Sequence, residues 1–104
     1  MAVEWKTLPP LSALRAFQAV ADSGGYAQAA RKLNVTHAAV AQQVRALESH
    51  LGMALVVREG RGMALTAEGT DLARALTDGF ATIQTGIQAL REGGASRPVR
   101  ITLT

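Results

Sequence analysis

Between Tyr26 and Gly52 the apolar residues fall into two helical patterns separated by a turn. In the second pattern Val40, Val44, Leu47 and Leu51 follow one another at spacings of four, three and four, which is one stripe of a helix. The opposite side of that helix carries Ala38, Ala41, Gln42 and Arg45. Upstream, Leu33 closes a shorter helix over about 26–33, and Asn34 and Val35 make the turn. Thr36 is placed to cap the helix at about 37–51 through its hydroxyl, and Gly52 to end it as a left-handed cap. Helix, short turn and one-sided helix make a helix-turn-helix, whose second helix enters a DNA major groove. Small residues on the exposed face permit close approach there, and Gln and Arg side chains can pair with base edges.

Elsewhere the pattern changes character. Residues 1–10 read as a loose start ending in Pro9 and Pro10. Ser12 then caps a helix to about Asp22 with Leu14, Phe17, Val20 and Ala21 on one side, and Ser23-Gly24-Gly25 breaks it. Past Gly52, Leu55-Val56-Val57 has strand propensity, Glu59-Gly60-Arg61-Gly62 has turn chemistry, and Met63-Ala64-Leu65 returns as a second strand. Two strands alone are marginal, so this small wing must lean on the helices. Thr66 next caps a helix reaching about Arg91, roughly 37 Å long. Its apolar residues Leu72, Leu76, Phe80, Ile83, Ile87 and Leu90 are spaced 4, 4, 3, 4 and 3, close to a heptad seam in the second half. Gly69, Gly79 and Gly86 weaken it as an isolated helix by up to about 1 kcal/mol each. Gly93-Gly94-Ala95-Ser96 reads as a flexible hinge, and residues 99–104 alternate like the first strand of a further domain.

The hydrophobic fraction is 48%, with Ala prominent and only four aromatic residues (Trp5, Phe17, Tyr26, Phe80), which favours packed helices. Net charge is +3, which fits a nucleic-acid partner without proving one, and Arg31, Lys32, Arg45, Arg58 and Arg61 all lie in or beside the helix-turn-helix. With no Cys there is no disulfide, thiolate metal site or Cys nucleophile, and His37 and His50, thirteen residues apart, form no metal-ligand pattern. No signal core or membrane-length apolar run is present, which points to a soluble, cytoplasmic chain. Asp71 and Asp78 have no nucleophile or His beside them and read as solvated helix acids, so no enzyme is expected.

The stretches LRAF at 14–17, AAxxLNVTxxAVxxQVxxLExxLG across 29–52 and LTAEG at 65–69 resemble the N-terminal DNA-binding region of LysR-type transcriptional regulators. The LPPL opening at 8–11 and the NVTH turn at 34–37 are similar to the branch containing regulators of glycine cleavage and chromosomal β-lactamase. The resemblance implies a mainly α winged helix-turn-helix domain over 1–65 and a linker helix over 66–92 that dimerises. It further implies that 93–104 is a hinge plus the first strand of a truncated effector-binding domain. Base contacts would fall on Thr36, His37, Ala38, Ala41, Gln42 and Arg45, with wing contacts at Arg58 and Arg61. The partners implied are double-stranded DNA carrying an interrupted inverted repeat in promoter regions and a second copy of the chain, with room for a tetramer in the full-length protein. A small effector would act only through the missing domain; no cofactor, metal or membrane is implied. Three positions depart from the common pattern: His37 stands where Gln is frequent, Ala41 where Ser is common, and Leu55-Val56 where Leu-Phe is usual.

Several residues carry two readings. Thr36 is a structural cap whose hydroxyl can also meet a phosphate. His37 contacts a base or a phosphate, or is a solvated first-turn residue. Gln28, near the start of the shorter helix, is a phosphate contact or a solvated side chain, whereas Arg31 and Lys32 read as a solvated face. The Leu76–Leu90 stripe packs on its own body or, as a helix projecting past a small domain favours, on a partner chain. The rival function is a winged-helix protein–protein adaptor without sequence-specific DNA binding, which the Gln42/Arg45 face opposes.

Overall fold

The computed structural model describes residues 2–96. Four helices and a hairpin follow in the order α1 (Leu11–Ser23), α2 (Tyr26–Leu33), α3 (His37–Leu51), β1 (Val56–Glu59), β2 (Gly62–Leu65) and α4 (Ala67–Ser96). The expected mainly α winged helix-turn-helix with a long C-terminal helix is therefore what the chain forms. Its starting segment is less loose than its composition suggests. Trp5–Thr7 makes a 3-10 turn, closed by the Thr7 N–H and hydroxyl donating to the Glu4 carbonyl at 3.0 and 2.9 Å.

α1 begins without help from Ser12, contrary to expectation. That residue lies exposed inside the first turn, and the carbonyl of Pro10 accepts from Ala13 N–H at 3.0 Å and Leu14 N–H at 3.2 Å. With Pro10 held at φ −58°, the backbone itself is preset to launch the helix. The other caps form as anticipated. Thr36 Oγ1 accepts from Ala39 N–H at 3.0 Å, Gly52 closes α3 at φ 71°, and Thr66 Oγ1 accepts from Gly69 N–H at 2.9 Å.

The core has two adjoining clusters. Ala19, Val20, Ala29, Ala30, Val40 and Val44 lie where α1, α2 and α3 meet, and alanines on the first two helices let their backbones approach closely. Ala13, Leu14, Phe17, Leu47 and Leu55 form the second cluster, onto which Leu72, Ala73 and Leu76 of α4 pack. Phe17 and Leu47 are completely enclosed, each contributing about 1.5–3 kcal/mol of burial. Lys32 Nζ also reaches Asp22 Oδ2 at 2.7 Å across α1 and α2, an exposed pair worth about 0–1 kcal/mol.

β1 starts at Val56, one residue later than expected, because Leu55 is inserted into the core. The antiparallel register pairs Val56 with Leu65 and Glu59 with Gly62, leaving Gly60-Arg61 as a two-residue loop. Gly60 has φ +60° and Arg61 does not share that sign, the pattern of a II′ hairpin turn with Gly first.

α4 runs on through Gly93 to Ser96, so the expected hinge at 93–96 is helical. Glycine lowers helix propensity without removing the N–H that the ladder needs, so two in succession do not stop it. The strand expected at 99–104 lies outside the described residues. From Ala81 to Glu92 every residue of α4 is exposed, so the helix leaves the body after Phe80.

Candidate DNA-binding face

α3 is strictly one-sided. Val40, Val44 and Leu47 are buried, whereas Ala38, Gln42 and Arg45 on the other side are exposed and Ala41 half-buried. That outward stripe opens onto a groove with three walls: the start of α2 from Gly24 to Gln28, the α3 residues His37, Ala41 and Arg45, and the wing residues Val56–Arg58 and Arg61–Met63. Of the nine residues singled out for DNA contact, Gln28, His37, Ala41, Arg45, Arg58 and Arg61 line this groove. Ala38 and Gln42 lie exposed on α3 outside it, and Thr36 is exposed at the helix start with its hydroxyl engaged as the cap.

Strand alternation accounts for Arg58. Val56 packs on the core, so the side chain two residues on leaves β1 on the same face, toward the groove. Arg61 follows at the hairpin tip. Neither Arg45, Arg58 nor Arg61 has a carboxylate partner among the described residues, whose salt bridges are Lys32–Asp22 and Arg74–Asp71. Three unpaired guanidiniums around one groove, with no acidic side chain lining it, make an anion-attracting surface. Lys32, by contrast, is taken up by Asp22, in keeping with its reading as a surface residue.

Gln28 sits differently from an extended reader. Its Oε1 lies over Gly25, 2.9 Å from where a Cβ at that position would stand, so the side chain folds back along the start of α2.

Two residues that shape the face were not singled out in the sequence. Glu48 accepts from the N–H groups of Leu55 and Val56 at 2.8 and 3.2 Å, which fastens the base of the wing to α3. Its only sequence signal is its place in the LExxLG stretch. Tyr26 is half-buried at the head of α2, packed on the first core cluster, with its ring 5.5 Å from that of His37 at an interplanar angle of 71°. Burial pushes the Tyr26 phenol above its usual range; the Glu48 charge adds to this, and Arg45 opposes it. Nothing in the spacing of the apolar residues indicates that Tyr26 and His37 meet, because their contact joins two helices.

Residues 11–70 match the family model described as "Bacterial regulatory helix-turn-helix protein, lysR family". The chain belongs to the LysR family. Among curated LysR-type relatives, the AhcY transcriptional activator HvrB of Rhodobacter capsulatus is 52% identical over 101 residues, covering 97% of this chain and 35% of HvrB. The HTH-type transcriptional activator AmpR of Yersinia enterocolitica is 44% identical over 92 residues, covering 88% of this chain and 31% of AmpR. The chain thus spans about a third of the length of these relatives. Among solved structures, the BenM DBD complex with catB site 1 DNA is 26% identical with a TM-score of 0.75, covering 85% of this chain and 97% of that one. The CbnR DBD–DNA complex is 32% identical with a TM-score of 0.67, covering 86% of this chain and all of that one (100%). All three departures from the common LysR-family pattern gather at the groove, which His37, Ala41 and Val56 line.

α4 carries the residues expected at a LysR-type dimer interface, and the structure divides them. Leu72 and Leu76 are half-buried against the chain's own core, and Phe80 is half-buried where the helix leaves the body. Ile83, Ile87 and Leu90 are 57%, 45% and 68% exposed, a row of aliphatic side chains that the chain itself does not cover.

Proposed function

We propose that this chain binds double-stranded DNA as the recognition unit of a LysR-type transcriptional regulator, with α3 in the major groove. The observation that carries the reading is the two-faced α3. Its apolar side is enclosed, and its outward side presents Ala38, Ala41, Gln42 and Arg45 next to the unpaired Arg58 and Arg61 of the wing. Gln42 and Arg45 read base edges, small residues allow the approach, and Thr36 and Gln28 stand where a phosphate passes the helix starts. Arg58 and Arg61 neutralise the backbone and supply affinity rather than sequence preference.

The functional unit is a homodimer joined through Phe80, Ile83, Ile87 and Leu90, because three large aliphatic side chains in a row on a projecting helix need a cover. Leu72 and Leu76 set the root of that helix against the body. Two α3 helices then meet an interrupted inverted repeat, with α4 setting the half-site spacing. The relatives are transcriptional regulators, which are not enzymes, and the same is proposed for this chain. Among the described residues no helix is long and apolar enough to cross a membrane. Its work is placed in the cytoplasm, on the nucleoid, with effector sensing assigned to the family's second domain. Residues 1–65 as DNA-binding domain and 66–92 as linker are the corresponding division.

Selection of genomic fragments with the purified chain tests the reading. It should enrich one sequence with two-fold symmetry. Recovery of fragments without any shared sequence would favour the protein–protein adaptor instead.

A further inference from the structure

We infer that Tyr26 is the positioning residue for His37, holding the imidazole at one attitude in the groove so that it meets DNA already oriented. The inference rests on the DNA-binding reading above and adds a residue to its recognition machinery.

The two rings are unequal partners. Tyr26 is the first residue of α2, half-buried and packed against the cluster of Ala19, Val20, Ala29, Ala30, Val40 and Val44. His37 is the first residue of α3, exposed, and its ring makes no hydrogen bond to any described residue. That ring meets the Tyr26 ring at a centroid distance of 5.5 Å and 71°, the edge-to-face arrangement that aromatic quadrupoles favour. A ring rooted in the core therefore restrains one that would otherwise rotate freely about two torsions. Both line the groove beside Arg45, so the restraint acts where the DNA is read. Fixing a contact side chain before binding removes part of the ordering cost and limits which partners it can reach, and so sharpens discrimination as well as affinity. The Tyr26 hydroxyl has no hydrogen-bond partner among the described residues, so the ring, not the phenol, is the part assigned this task.

The test uses a duplex recovered from a random pool by the wild-type 104-residue chain and a scrambled duplex of equal composition. Binding to each is measured for Tyr26→Phe, Tyr26→Leu, His37→Ala and the Tyr26→Leu/His37→Ala double variant, with thermal unfolding recorded for all. Tyr26→Leu and His37→Ala should each lower the preference for the selected duplex about three- to tenfold, the range of an aromatic pair. Tyr26→Phe should keep it within about twofold, and adding Tyr26→Leu to His37→Ala should cost no further preference, the signature of coupled residues. In the DNA-free chain, nuclear Overhauser effects between the rings of residues 26 and 37 should be present in the wild type and in Tyr26→Phe. Three results overturn the inference while leaving DNA binding intact. They are a Tyr26→Leu loss that persists in the His37→Ala background, a Tyr26→Phe loss as large as that of Leu, and a His37→Ala variant that discriminates like the wild type. A wild-type chain that shows no preference for any duplex overturns the DNA-binding reading and this inference with it.

Discussion

Alanine at position 69 should destabilise this protein although alanine is the better helix former. Gly69 is buried in the first turn of α4, where the helix start crosses the chain entering the wing. A Cβ built there falls inside van der Waals contact of the Leu55 carbonyl oxygen, 3.0 Å from the carbonyl carbon and 3.3 Å from Leu55 Cα. All three are backbone atoms, so no rotamer change relieves the clash. The same carbonyl accepts from Thr66 N–H at 3.0 Å, and Thr66 Oγ1 donates to the Ala54 carbonyl at 2.8 Å. Moving α4 away therefore stretches both bonds and loosens Leu72 and Leu76 from the second core cluster. Helix propensity favours Ala by about 1 kcal/mol. Against it stand about 1–3 kcal/mol of overpacking and about 0.5–1.5 kcal/mol for each hydrogen bond weakened. With both bonds weakened the balance is a net loss of about 1–5 kcal/mol, and at about 4–8 °C per kcal/mol in a domain of this size Tm falls by roughly 4 °C or more. Thermal unfolding followed by circular dichroism, at one fixed chain concentration, measures it. Gly79→Ala and Gly86→Ala are the controls: a Cβ at either position meets nothing within 4 Å, so both should raise Tm. If Gly69→Ala melts at or above the wild type, as the controls should, the close approach of α4 to Leu55 is not a constraint on this fold.

Three further outcomes are expected. Replacing Ile83 and Ile87 by Asp should yield monomers with unchanged helical content, and sedimentation that still shows a dimer would remove these residues from the interface. Gln42→Ala and Arg45→Ala should each cost about 1–3 kcal/mol on a selected duplex and much less on a scrambled one. Arg58→Ala and Arg61→Ala should weaken both duplexes alike and flatten the salt dependence, and losses for Gln42→Ala and Arg45→Ala that are equal on the two duplexes would deny α3 a reading role. Tyr26, the chain's single tyrosine, should ionise above pH 10 in an absorbance titration of the folded protein. Because its folded pKa is raised above the ordinary value of 10.0, its contribution to stability is full below pH 10 and is lost as pH rises toward the folded value. Tyr26→Phe should remove that alkaline loss.

Most of the local architecture was legible in the residues. The Val40–Leu51 stripe, the Thr36 and Thr66 caps, Gly52, and the Gly60 turn all express short-range rules, helical period, side-chain capping and left-handed backbone, that act within a few residues of chain. The same rules laid Ala38, Gln42 and Arg45 on the side of α3 opposite its buried stripe. Where two local signals competed they were less decisive: Pro10 rather than Ser12 launches α1, and Gly93 does not end α4.

Tertiary packing decided what no local pattern encodes. Gly69 looks like a weak point of a helix until the Leu55 carbonyl is seen against it, and Glu48 looks like a surface acid until it is found holding the wing. Tyr26 and His37 are eleven positions apart and head different helices, so only the α2–α3 crossing brings their rings together. The continuous apolar row of α4 likewise splits between own-chain core and open surface, because α1 ends and the body with it. Periodicity tells which side of a helix is apolar; what covers that side depends on where distant segments stop.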